Sequence, residues 1–150
     1  MADVIEHVDV WGLMRYGSPP WDVKIVFAGY SAGGSALSSA AQEGGLCRIR
    51  PDAVVWLDAS YDGWLDKAWK GCLKNSSTHV HVLVRKWDTP HRRAKAFMKG
   101  LPDDVKPDLS YYVFDRKNWT HPDIGSRGLI ESDVFRGISK EEFSIEVKKR

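Results

Sequence analysis

The chain has 150 residues, enough for one domain with a core that needs no metal or dense disulfide framework. Hydrophobic residues make up 43% and charged residues 28%, the balance of a globular domain and not of a disordered or membrane-embedded chain. A net charge of +2 is too small to make nucleic acid or an anionic membrane the main partner, so neither is expected.

In chain order, the first element is a helix over residues 3–16, with Val4, Ile5, Val8, Trp11 and Leu13 loosely spaced at its period. Gly17-Ser18-Pro19-Pro20 ends it, because paired prolines cannot continue a helix. This beginning lacks the basic region and apolar run of a secretory leader, and no apolar stretch approaches the ~20 residues of a membrane span. A cytoplasmic setting is therefore expected, and with it two unbridged thiols at Cys47 and Cys72.

Lys24 to Ala28 reads as the first strand. Ala53 to Leu57 is the second, entered through Arg50-Pro51-Asp52 and closed by Asp58. His79 to Val84 is the third and Tyr111 to Phe114 the fourth. Between them, Ser35 to Glu43, Trp64 to Leu73 and His91 to Lys99 are long enough for helices. Strands alternating with helices predict an α/β fold, a mainly parallel sheet of about four strands with helices on both faces. The domain is expected to cover residues 1–138. Residues 139–150, mixed in charge and basic at the end, read as a solvated extension.

The first strand runs into Gly29-Tyr30-Ser31-Ala32-Gly33, a Gly-x-Ser-x-Gly pattern, and small helix-compatible residues follow. A serine on a sharp strand-to-helix turn projects its hydroxyl above the sheet edge, and flanking glycines let the helix pack close to the strand. Here the chain resembles the α/β-hydrolase family of serine esterases, lipases and peptidases. The family normally builds several strands before this turn, whereas here one helix precedes it. The resemblance covers most of the chain but only the C-terminal half of the usual fold.

The resemblance implies a reaction. A serine hydroxyl needs an imidazole to take its proton and a carboxylate to orient that imidazole. The family supplies them in the order Ser, acid, His, each beyond a later strand. Ser31 is the expected nucleophile. Asp88, just past the third strand, is the expected acid, with Asp58 or Asp62 after the second strand as the alternative. His121, in a loop after the fourth strand, is the expected base. The Ala32 backbone N–H is the expected oxyanion donor, since it follows the nucleophile.

The activity so implied is hydrolysis of a small-molecule ester, with amides as a second class, through an acyl-enzyme and without a cofactor. Tyr30 beside the nucleophile, and Trp64, Trp87 and Trp119 beyond the strands, would line the substrate cleft, since open α/β sheets bind ligands at the carboxyl ends of their strands. A sheet that begins at its elbow strand exposes an edge, which gives a reason for a homodimer.

Two other function classes compete. A non-catalytic binding or assembly module could keep the elbow while lacking the front half of the fold. A metal-dependent hydrolase could use the His79 and His81 pair with Asp88 and His91, although no second ligand motif accompanies them. The Gly-rich turn has neither the lysine of a P-loop nor the Gly-x-Gly-x-x-Gly of a dinucleotide site.

Overall fold

The apolar runs form a four-stranded, all-parallel sheet in the order β1-β2-β3-β4, with β1 at Val26–Tyr30, β2 at Ala53–Leu57, β3 at His79–Arg85 and β4 at Leu109–Phe114. The computed structural model describes residues 25–102 and 109–131. The expected first helix, the turn that ends it and the charged C-terminal extension lie outside these residues.

Among the described residues, five helices accompany the strands: α1 (Gly33–Gln42), α2 (Gly45–Ile49), α3 (Trp64–Gly71), α4 (Thr89–Gly100) and α5 (His121–Glu131). A short 3-10 turn, Leu73–Asn75, follows α3. The α/β architecture expected from the alternation is therefore present. Each strand is joined to the next in the sheet through helical crossovers, as parallel neighbours require.

Register explains why the strands read as apolar runs. Ala53 to Leu57 stand opposite Val26 to Tyr30 on one side and His79 to Leu83 on the other. All five residues of β2 are buried, since both faces and both edges of this strand are covered. Alternate side chains then feed two cores. Val54, Trp56, Val80, Val82, Val84, Leu109 and Tyr111 pack with Leu37, Leu46, Leu65, Trp69 and Ala94 of the helices on one face. Val55, Leu57, Leu83 and Phe114 meet Trp119 and Ile124 on the other, where α5 lies. Among the described residues β1 pairs only with β2.

The first core dictates the shape of α1. Its buried residues Gly34, Leu37, Ser38 and Ala41 follow the i, i+3, i+4, i+7 stripe of a helix with one face inward. Gly44, at φ 73, then turns the chain in the left-handed region into α2, a short helix with no periodic signal in the sequence.

Two sequence expectations change here. Cys47 in α2 and Cys72 at the end of α3 are joined in a disulfide, with Cα atoms 6.1 Å apart and a sequence separation of 25, and are not separate thiols. Reading their state from the absence of a leader ignored the first core, against which both side chains pack, with α2 and α3 each resting on α1. A bridge closing a loop of this length stabilises by about 3–4 kcal/mol in the chain-entropy picture. The second change is the start of α5. Thr120 N–H donates to Asp123 Oδ2 (2.6 Å) and Asp123 N–H donates back to Thr120 Oγ1 (3.3 Å), a reciprocal capping box. The helix therefore begins at His121, which stands in its first turn and not in a free loop. Among the described residues, no helix is long and apolar enough to cross a membrane.

Candidate active site

The turn after β1 has the backbone of a strained elbow. Ser31 lies at φ 51, in the left-handed region that costs a non-glycine residue about 1–2 kcal/mol. Its N–H donates to Leu57 O (3.1 Å), holding the end of β1 against β2. Gly34 N–H donates to Ser31 O (3.1 Å) and starts α1. Ala32 sits at the N-cap, so its N–H belongs to the helix end where backbone donors lack intrahelical partners.

The glycines divide the work differently from the sequence expectation. A Cβ on Gly29 would come within 2.6 Å of Leu37 Cδ1, and one on Gly34 within 2.3 Å of Ala59 O. A Cβ on Gly33 would meet nothing within 4 Å. Close approach thus requires Gly29 and Gly34, the second of which lies outside the five-residue pattern.

Asp58 follows β2 and repeats the backbone device, with φ 49. Its own N–H donates to Leu83 O (2.7 Å), and its Oδ1 accepts the Arg85 N–H (3.2 Å). Its Oδ2 stands 2.7 Å from His121 Nδ1. The carboxylate is 1% exposed and the imidazole 29%. A carboxylate only accepts, so the Nδ1 proton points at Asp58, and a neutral ring keeps Nε2 as its acceptor. On its flat side the imidazole stacks on Tyr30, with ring centres 4.7 Å apart. Gly125, one turn further along α5, makes room for the same ring: a Cβ there would lie 2.8 Å from Tyr30 carbons. Tyr30 immediately precedes Ser31, so this contact sets the His121 ring beside the elbow. The Ser31 hydroxyl makes no hydrogen bond to His121 in this geometry.

Asp88, expected as the acid, is placed elsewhere, and this is a correction. It occupies the N-cap of α4 in extended conformation and pairs with the Arg85 guanidinium. The partner of His121 is Asp58. Asp62 is exposed on the same turn, at φ 42.

The expected cleft residues separate as well. Tyr30 and Trp87 are exposed, 38% and 66% respectively. Trp64 is half-buried; its ring lies near the start of α1 and in edge contact with Tyr61. Trp119 is 7% exposed, tilted on Phe114 and covered by Arg127, so it is a core residue and lines no cleft. Tyr61, missed in the sequence, lies close enough to Asp58 and Asp88 that burial and then their charges push its phenol up.

His81 is buried in β3, where burial and then the neighbouring His79 push its imidazole down to about 4. Among the described residues, no three His, Cys, Asp or Glu side chains are grouped to hold a metal ion. His91, whose Nδ1 accepts the Trp87 N–H (3.2 Å), stacks on Tyr111. Comparison of the chain with family models, curated proteins and solved structures finds no match.

Proposed function

We propose that the protein is a serine hydrolase of small carboxylic esters, built on an α/β-hydrolase-like core, with Ser31, His121 and Asp58 as its triad. The observation that carries this reading is the buried Asp58 carboxylate 2.7 Å from His121 Nδ1, at the same end of the sheet as the strained Ser31 turn.

Ser31 Oγ attacks the ester carbonyl while His121 Nε2 takes its proton. Asp58, already fixed by the Arg85 N–H, stabilises the imidazolium that forms. The Ala32 N–H faces the developing oxyanion, and one such donor contributes roughly 3–4 kcal/mol to the transition state. The imidazolium returns its proton to the leaving alcohol, giving an acyl-serine, and the same base then activates water to release the acid. Ester cleavage by this route draws on no cofactor.

Labelling with a fluorophosphonate probe tests the reading. Wild type is expected to label at a single serine and Ser31→Ala not to label. Equal labelling of the two proteins overturns it.

A further inference from the structure

The turn that bears Asp58 continues into the wall of a cleft of ≈ 240 Å³ between α3 and α4. Leu65 and Phe97 give it apolar surface, and Ser60, Tyr61, Asp66 and Arg93 give it polar groups. At about 30 Å³ per water, the space equals roughly eight waters, enough for a short carbon chain with one polar end.

Two of these groups lack an acceptor. Ser60 is 2% exposed and its hydroxyl has no hydrogen-bond partner, a rare condition for a buried polar atom. Arg93 forms no ion pair among the described residues, whereas Asp66 is engaged by Lys70 at 2.9 Å. Arg93 is the cation among the residues lining the cleft, and helix α4, which bears it, has no acidic residue to compete for it. The cleft wall is continuous in the chain with the Asp58 turn. Ser60 lies two residues beyond Asp58, and the Trp64 ring stands 3.1 Å from where a Gly34 Cβ would be, at the start of α1.

We infer that this cleft is a subsite for a carboxylate on a short apolar stem, so that the preferred substrates are monoesters of small dicarboxylic acids. The stem packs on Leu65 and Phe97. The carboxylate pairs with Arg93, and a turn of the Ser60 side chain brings its hydroxyl to the same anion. The substrate assignment rests on Ser31 being the nucleophile; the anion site does not.

Hydrolysis of 4-nitrophenyl hydrogen glutarate is therefore compared with that of 4-nitrophenyl valerate, a neutral ester of similar length. Wild type is expected to prefer the glutarate ester by ~10-fold or more in kcat/KM, as a hydrogen bond to a charged group contributes. Arg93→Gln is expected to collapse that ratio towards one, mainly through KM, and Ser60→Ala to lower it less. No preference in wild type, or a preference that survives Arg93→Gln, overturns the proposal.

Calorimetric binding of free glutarate to Ser31→Ala, with and without Arg93→Gln, reads the site without turnover. Saturable binding that needs Arg93 supports the anion site, and if Ser31 of wild type does not react with the fluorophosphonate, only the reaction falls. A reactive Ser31 with no glutarate binding removes the subsite and leaves the hydrolase.

Discussion

The C-terminal ends of β2 and β3 have the same ingredients and different outcomes. Each passes through a left-handed residue, Asp58 at φ 49 and Trp87 at φ 73, and each provides an aspartate. Asp58 is enclosed, because β2 has a strand on both sides and α5 across its end, so the carboxylate meets the Arg85 N–H and His121. Asp88 comes three residues after the last residue of β3 and opens α4, where its carboxylate turns to the Arg85 side chain. Arg85 thus contacts both acids, one through its backbone and one through its guanidinium. Position after a strand does not decide which aspartate meets the imidazole; coverage by neighbouring elements does.

The comparison breaks most sharply in catalysis. Asp58→Asn keeps the side-chain shape but loses the carboxylate that fixes the His121 tautomer, and is expected to lower kcat by about a thousand- to ten-thousand-fold. Asp88→Asn is expected to cost less than about ten-fold, since its carboxylate meets Arg85 and not the base. Steady-state hydrolysis of a nitrophenyl ester reads both, and the opposite ranking returns the acid role to Asp88.

Further down the same two strands Val55 faces His81 in register, an aliphatic residue against a titratable one. His81 in the folded protein sits at about 4, against 6.5 for an ordinary imidazole. The unfolded chain therefore binds the extra proton first as pH falls. The stability contributed by this neutral, buried ring is whole above about 6.5 and is lost towards 4, by on the order of 3 kcal/mol. Urea midpoints at pH 7 and pH 4.5 are expected to differ more in wild type than in His81→Gln; equal differences would show that β3 holds no such acid-sensitive group.

The smallest effect belongs to the neighbouring glycines. Gly34→Ala pushes a methyl group into Ala59 O, next to Asp58, and is expected to cost about 1–3 kcal/mol. Gly33→Ala enters open space and is expected to stay within about 0.5 kcal/mol. Denaturant titration separates them. Equal losses would mean that the β2 end is not held by close backbone packing.

What was legible in the sequence was what depends on periodicity and local turns. The four strands fall within two residues of their expected positions, as do three of the helices, because apolar runs and breakers are local signals. Contacts between distant residues were not legible. The choice between Asp58 and Asp88 as partner of His121 needed the sheet order, and the Cys47–Cys72 bridge needed the packing of α2 and α3 on α1. The start of α5 was available in Thr120-His121-Pro122-Asp123, a capping pattern with aspartate in place of glutamate. Trp119 misled because strand-end position was read as cleft position, when its ring turns back onto Phe114.

The sequential strand order has a consequence for synthesis. Each strand pairs with the one made just before it, so the sheet can grow as the chain emerges. Ser31 belongs to the first of these units and His121 to the last described helix, 90 residues later (121 − 31 = 90). At ~5–20 residues per second, a ribosome needs roughly 5–20 s to cover that interval. Through that time the nascent elbow has a hydroxyl but no base to deprotonate it. The proposed enzyme would thus remain inert towards esters around the ribosome until α5 has left the exit tunnel and closed His121 onto Asp58.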